Sequence, residues 1–536
     1  MKISKIFILT ASVIIIGLTA VQAQTSLTTL HDFTQFNVSG GEPSSPMLLS
    51  GSTLYGVAPG GTSSDGVLFS IKTDGTGFTV LYEFTSSAFA PSGTLALSGG
   101  KLYGTTQAGG TSDDGVVYSI NTDGTGFTIL HSFSGSDGNG PNGGLILSGS
   151  TLYGTAFGGG SGNNGTVFKI NTNGSGFTVL HNFNSNGNDG NTLYSGVILS
   201  GNTLYGVAAG GGSNQLGTIY SVGTNGTGFT VLYNFNGNTD GGVPEGDLVV
   251  SGSTLYGTAS GYTFTGDIVV KPAVNQATDF GVVFSIKTNG SNFTTLHSFD
   301  NNDGAYPFSG LALSGNTLYG VTSQGDATNG TIGSGTIFSI NTNGTGFTTL
   351  YDFTGGSDGG GPAGPIFSNN VLYGVTGTSN GGFDYGTIFA ATLNFSGQYE
   401  IQCVASDLAA NVKGGSDTDG AEIIQWPFSG TPNSIWTLIP TSNGYYQINN
   451  IQSGLDMVVQ GASTAGGAKI IQWSFGSSGD DQWKPISNSD GSYTFYNLHS
   501  GLALDDPAGS TSQGTQFDQW AADHDTNQEF DLIPQL

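Results

Sequence analysis

Short runs in which apolar residues alternate with small or polar ones recur along most of this chain, each bounded by Gly, Asn or Asp. One unit reads Gly93-Thr-Leu-Ala-Leu-Ser-Gly, then Leu102-Tyr103-Gly104, then Gly115-Val-Val-Tyr-Ser-Ile, then Phe127-Thr-Ile-Leu-His-Ser-Phe133. Period-two alternation predicts β-strands, here four per unit, designated a to d in chain order. Between c and d lie Thr-Asp-Gly-Thr-Gly or Thr-Asn-Gly-Ser-Gly, where Asn, Asp and Gly suit the positive φ of a tight hairpin turn.

The Leu-Tyr-Gly of strand b returns at Tyr55, Tyr103, Tyr153, Tyr205, Tyr256, Tyr319 and Tyr373. A period of roughly 50 residues marks a repeat architecture, because one unit cannot bury its apolar face alone. Strand d follows strand c in six units, ending at Phe84, Phe133, Phe183, Phe235, Phe299 and Phe353, whereas the seventh stops at Gly386-Thr-Ile-Phe-Ala-Ala-Thr. The missing strand stands at the other end of the chain, as Thr28-Thr-Leu-His-Asp-Phe33. A terminal strand completing the last unit closes a ring and leaves no open edge. The pattern predicts an all-β fold, with a seven-bladed β-propeller over residues 24–395. An open solenoid would want polar capping units instead.

Near residue 396 the pattern changes. All five Trp lie beyond it, and three series advance by 47 residues: Tyr399, Tyr446, Tyr493; Trp426, Trp473, Trp520; Trp436, Trp483, Phe530. Three such units imply pseudo-threefold symmetry about a shared aromatic core, a β-trefoil over residues 396–536. Trp436, Trp483 and Phe530 are assigned to that core.

Composition then narrows the setting. Lys2 and Lys5, an apolar stretch from Ile6 to Ala20 and the small-residue end Val21-Gln22-Ala23 predict a secretory signal peptide over residues 1–23. No later segment approaches the ~20 apolar residues of a membrane span, so the mature chain is expected outside the cytoplasm: extracellular, cell-surface associated or periplasmic, without membrane insertion. The net charge is −27 and there is no Arg. Such a surface disfavours nucleic acid and anionic membranes, whose binding relies on Lys and Arg. Cys403 is the sole cysteine, so no intrachain disulfide forms.

The repeats offer little conventional chemistry. Asp137, Asp189, Asp240, Asp303 and Asp358 each sit in a d-to-a loop, one per blade, where an Asx-type turn wants an acid. A Ca²⁺ site would need several oxygen ligands in one place, so these read as turn formers. His31, His131, His181 and His297 share a strand-d position that holds Tyr82, Tyr233 and Tyr351 in other blades. That interchange reads as packing with a polar tip, and general acid–base work needs a convergent, non-repeating set. No catalytic, metal or cofactor site is assigned. The longest b-to-c connection, about Ala259 to Phe280 with Tyr262, Phe264, Asp267 and Lys271, marks the loop face as a surface for a further partner, a protein among the candidates.

Residues 335–353, Gly-Thr-Ile-Phe-Ser-Ile-Asn-Thr-Asn-Gly-Thr-Gly-Phe-Thr-Thr-Leu-Tyr-Asp-Phe, resemble the Gloeo/Verruco extracellular repeat of secreted bacterial proteins, a family that supplies no catalytic residues to carry over. Asn433-Ser-Ile-Trp436, Asp480-Asp-Gln-Trp483 and Asn527-Gln-Glu-Phe530 resemble the Gln-x-Trp repeats of ricin B-type lectins and related xylan-binding modules. That second resemblance implies one sugar site per unit, built from an acid, an aromatic platform and an Asn-Gln pair. Amide and carboxylate groups suit vicinal hydroxyls, and an aromatic face suits the apolar side of a pyranose. Carried over by position, it implies Asp505, Asp518, Trp520, Asn527 and Gln528 in the third unit. The first unit offers Asn411, Trp426 and Asn433, with Ser434 in place of Gln. The second has Val458 at the acid position and is expected to be silent despite Trp473.

The chain thus reads as a secreted, non-catalytic carbohydrate-binding protein with a propeller scaffold for a further interaction. Two alternatives belong to other classes. One is an extracellular polysaccharide-active hydrolase or lyase targeted by the trefoil, which a pair of buried carboxylates on the loop face would favour. The other is a structural or adhesive surface protein with no small-molecule site.

Overall fold

The structure is a computed structural model that describes residues 25–33, 41–61, 65–184, 186, 188–237, 239–261, 263–265, 268–270, 280–325, 333–377, 385–393, 395, 397–441, 445–474, 476, 478–488, 492–523 and 525–535. The expected signal peptide lies outside them, as do Tyr262, Asp267 and Lys271. Of the fifth-blade insertion the described part is a two-stranded ribbon, Thr263–Thr265 with Ile268–Val270.

Seven four-stranded antiparallel sheets form the propeller. The first comprises Leu48–Ser50, Thr53–Ala58, Val67–Lys72 and Thr79–Glu83. In the seventh, Gly360–Ser368, Val371–Gly377 and Thr387–Leu393 are completed by the N-terminal strand Thr25–Asp32. Thr25 lies opposite Leu393 and Asp32 opposite Thr387. The amino terminus thus pairs the edge that the last blade would otherwise expose.

The Leu-Tyr-Gly motif is explained by register. Its Gly lies opposite the aromatic of strand c in every blade, as with Gly56 and Phe69, Gly154 and Phe168, or Gly320 and Phe338. A Cβ on Gly154 would stand 2.8 Å from the Phe168 ring, and one on Gly320 only 2.3 Å from Phe338. Space, and not an unusual backbone angle, selects glycine here.

The propeller core is a series of wedges between blades. One cluster joins Tyr153 and Val167 of the third blade to Leu204 and Tyr220 of the fourth, and another joins Tyr373 and Ile388 of the seventh to Leu54 and Phe69 of the first. On the outer strand six of the seven polar-tipped rings stack on a Phe of the next blade, among them His131 on Phe177 at 3.5 Å and 9° and Tyr233 on Phe293 at 4.0 Å and 6°. The same tips meet the loop aspartates. His131, His181 and His297 donate through Nε2 to Asp137, Asp189 and Asp303 at 3.0, 3.0 and 2.8 Å, and the Tyr233 and Tyr351 hydroxyls donate to Asp240 and Asp358 at 2.8 and 3.0 Å. Asp137 also accepts the Ser134 N–H at 2.9 Å. The repeated Asp therefore shapes its turn and latches it to the strand before it.

A second repeated contact surrounds the axis. Pro141, Pro244 and Pro307, just ahead of strand a, pack on the glycine that opens strand c of the preceding blade: a Cβ on Gly115, Gly217 or Gly281 would come within 2.6, 2.6 and 2.5 Å of their Cδ atoms. The proline is replaced by Leu193 in the fourth blade, and these contacts hold the inner strands around a central funnel of about 610 Å³.

The trefoil closes where Gly397–Cys403 pairs with Phe530–Gln535, Gln398 opposite Gln535 and Cys403 opposite Phe530. Trp436, Trp483 and Phe530 are fully buried in one core with Ile448, Met457 and Phe495. The indole N–H groups of Trp436 and Trp483 donate to the Ala410 and Met457 carbonyls at 2.9 and 2.8 Å, so neither buried donor is left unpaired. Cys403 is buried and free. Phe395 enters from the propeller side among Tyr399, Tyr446 and Tyr493, the three symmetry-related tyrosines.

Candidate functional site

The third trefoil unit builds its pocket from two short strands and one turn. Ala503–Asp505 pairs with Asp518–Trp520, placing Ala503 opposite Trp520 and Asp505 opposite Asp518. Trp520 is 49% exposed although its ring rests on the Gly466-Gly467 turn of the second unit. A Cβ on Gly466 would lie 2.6 Å from that ring, so a bare backbone turn supports the platform. Asp505 is buried, and its Oδ1 accepts hydrogen bonds from Asn527 Nδ2 and Gln528 Nε2, both at 2.9 Å. The 3₁₀ turn Thr526–Gln528 supplies both amides.

Further contacts fix these donors. Asn527 Nδ2 also donates to the Asp506 carbonyl and Gln528 Nε2 to that of Ala521, each at 3.2 Å, while Gln528 Oε1 accepts the Asp523 N–H at 3.0 Å. The cavity measures about 670 Å³ and is lined by Asp505, Trp520, Asp523, Asp525, Thr526 and Asn527 among others. Burial pushes Asp505 above the ordinary carboxylate range, and the carboxyls of Asp518 and Asp523 add to the rise against the Gln528 hydrogen bond. Asp506 is pushed up to about 7, by burial first and then by Asp505 and Asp518. The result is a shallow acidic cradle beside an open indole face.

Of the residues singled out by sequence, Asp505, Trp520 and Asn527 line this cavity together. Gln528 is buried behind it and holds Asp505 in place. Asp518 is not among the lining residues: its Oδ2 pairs with Lys469 Nζ of the second unit at 3.0 Å. Asp523, Asp525 and Thr526 line the pocket without having been singled out. Their signal was only position, in the loop joining Trp520 to Asn527.

The first unit repeats part of the arrangement. Asn433 Nδ2 donates to Asn411 Oδ1 at 2.8 Å and to the Val412 carbonyl at 3.2 Å, and Trp426 is 42% exposed. Ser434 Oγ turns back to the Thr431 carbonyl at 2.8 Å, so the second amide donor is missing. In the second unit Trp473 is 46% exposed but Val458 stands in the acid position, and Asp481 accepts the Gly476 N–H at 2.7 Å. No group of three or more His, Cys, Asp or Glu suited to a metal ion occurs among the described residues. Nor, among them, is any helix long and apolar enough to cross a membrane.

Comparison with known proteins places both regions. The Gloeobacter/Verrucomicrobia repeat matches residues 16–160, 60–269 and 273–421, and the ricin-type beta-trefoil lectin domain-like family matches 389–473 and 479–535. No curated protein matches the chain. Among solved structures, the designed threefold-symmetric protein ThreeFoil is 35% identical, covering 26% of this chain and 99% of its own, with a TM-score of 0.26. The Macrolepiota procera ricin B-like lectin, solved with lactose, is 18% identical over 27% of this chain and 99% of its own, at a TM-score of 0.24. An exo-beta-1,3-galactanase from Clostridium thermocellum is 16% identical over 83% of this chain and 96% of its own, at 0.29. The repeat spans well over half of the sequence, and the protein therefore belongs to the Gloeobacter/Verrucomicrobia repeat family, with a ricin-type β-trefoil lectin-like domain at its carboxyl end.

Proposed function

We propose that this is a secreted, non-catalytic carbohydrate-binding protein whose third trefoil unit holds a sugar. One observation carries the reading: buried Asp505, fixed by two amides, borders the same cavity as the exposed face of Trp520. A pyranose laid on the indole presents its hydroxyls to the Asp505 and Asn527 edge. The first unit is a weaker second site, built on Asn411, Trp426 and Asn433. Single shallow pockets bind weakly, and display on a rigid propeller suits multivalent attachment to a polysaccharide or cell surface. Glycan-array binding by the secreted chain, lost in Asp505→Ala and Trp520→Ala, tests the reading; binding unchanged in both variants refutes it. Recovery from the culture medium with the first 23 residues removed tests the secretion.

A second reading has one observation in its favour. Glu245 and Asp247 both line the central funnel. Burial pushes Glu245 up to about 8 and also raises Asp247, whose Oδ1 accepts the Gly196 N–H at 2.8 Å. A protonated acid beside a second carboxyl suits glycoside hydrolysis. Release of reducing ends from neutral polysaccharides by the full chain, abolished in Glu245→Gln, would establish this alternative.

A further inference from the structure

In six blades one residue varies where its surroundings repeat. Behind the proline that locks onto the preceding blade, or behind Leu193 in the fourth, stand Ser44, Ser92, Asn142, Tyr194, Glu245 and Phe308, and all six line the central funnel. The repeats thus converge on a set that is itself not repetitive: two hydroxyls, an amide, a phenol, a carboxyl and a phenyl ring.

Several of these groups are fixed before any ligand arrives. Ser92 Oγ bonds to Asn142 Oδ1 and donates to the Asn142 carbonyl at 3.1 Å, while Gln107 Nε2 donates to Asn142 Oδ1 at 2.9 Å. Asn142 Nδ2 is thereby left without a partner among the described residues. Ser195, only 4% exposed, lines the same space, and its Oγ has no partner among the described residues either. A buried hydroxyl without a partner is costly in a folded protein, and a ligand's hydroxyl would satisfy it. Beside the funnel the ring of Phe157, 38% exposed, lies 5.2 Å from that of Tyr194.

Charge decides the ligand class. None of the described lining residues is cationic. An anionic ligand therefore finds no counter-charge there. Burial pushes Glu245 up to about 8, so its carboxyl is largely protonated near neutral pH and offers a cation little attraction; burial raises Asp247 as well. A protonated carboxyl both donates to and accepts from hydroxyls. Hydroxyls, amides and a neutral acid interleaved with ring faces match a polyol whose rings have apolar sides, and the volume falls in the usual range for small-ligand sites.

We infer that the central funnel of the propeller is a second binding site, which takes a neutral oligosaccharide through Asn142, Tyr194, Ser195 and Glu245. The inference rests on the reading of the propeller as a further recognition module, not on the trefoil pocket, and holds whether or not the bound chain is cleaved.

The test uses the full chain with its trefoil silenced by Asp505→Ala, Trp520→Ala and Trp426→Ala. Calorimetric titration with neutral hexasaccharides of glucose, mannose, galactose and xylose should give saturable binding to at least one. Tyr194→Ala removes a ring face and should weaken that binding about tenfold. Ser44→Trp, at an exposed position on the mouth, should block it while leaving the melting temperature unchanged. Absence of saturation by every neutral hexasaccharide at millimolar concentration overturns the inference. So does binding untouched by both variants, or binding of a glucosamine or galacturonate hexamer alone. Array binding by the unmutated chain reports on the trefoil separately, so failure of one site is distinguishable from failure of the other.

Discussion

The ring of Phe395 meets that of Tyr493 edge-on, with centroids 5.1 Å apart at 90°. Tyr399 and Tyr446 flank the same ring at 6.2 and 5.6 Å, and the Phe395 N–H donates to the Tyr446 hydroxyl at 3.2 Å. A single side chain at the junction thus occupies the foot of the trefoil near its pseudo-threefold axis. Asn370 of the seventh blade adds a bond to the Pro485 carbonyl at 3.5 Å. Phe395→Ala is expected to destabilise the trefoil by about 3 kcal/mol, the lower end for loss of a packed ring. Scanning calorimetry should then resolve two transitions, the trefoil melting first.

Each Leu-Tyr-Gly glycine makes room for the ring across the strand pair, so adding one methyl group overpacks a blade. Gly154→Ala should cost about 1–3 kcal/mol by denaturant titration. The double variant Gly154→Ala with Phe168→Leu should recover part of that loss. An additive loss in the double variant would mean that the Phe168 ring is not what the glycine accommodates.

The strand-d histidines make propeller stability depend on acid. Burial lowers the pKa of His31, His131 and His181 below 6.5, outweighing the bonds of the last two to Asp137 and Asp189. The folded state therefore binds fewer protons than the unfolded chain once pH drops below about 6.5. Their contribution is intact above that pH and is lost as pH falls toward the folded values. Thermal melts of His131→Tyr and His181→Tyr, which copy Tyr233 with Asp240, should show a smaller loss of Tm between neutral and mildly acidic pH. Parallel pH profiles for wild type and variants would refute this assignment.

Lys469 and Asp518 join two trefoil units outside the sugar-facing cavity. Lys469→Ala should leave glycan affinity within about twofold, because neither the partly exposed Lys469 nor its buried partner Asp518 lines the cavity. Trp426→Ala should reduce avidity on a dense glycan surface more than affinity for a free sugar, since the first unit lacks a second amide donor. Surface plasmon resonance at two ligand densities separates these effects.

Much of the architecture was legible because it is written in neighbouring residues. Alternation within five or six positions, Asn-Gly and Asp-Gly turns, and a strand d missing at one end but present at the other are local facts with one closed solution. Asp505, Trp520 and Asn527 were named by the resemblance to ricin B-type lectins, carried over by position along the third 47-residue unit. The loop aspartates were correctly read as turn formers, yet their pairing with His131 or Tyr233 was not visible, because it depends on how the turn folds back over the strand.

What the sequence alone determined is the set of repeating elements and the order in which they must close, since hydrophobic period and turn chemistry act over a few residues. Tertiary structure alone decided which side chains meet across repeats. Asp518 and Lys469 lie 49 residues apart in sequence and 3.0 Å apart in space, and Glu245 joins Asn142 and Tyr194 at the axis only once seven blades have closed. Contacts of that kind depend on ring curvature and barrel closure, which no window of consecutive residues contains.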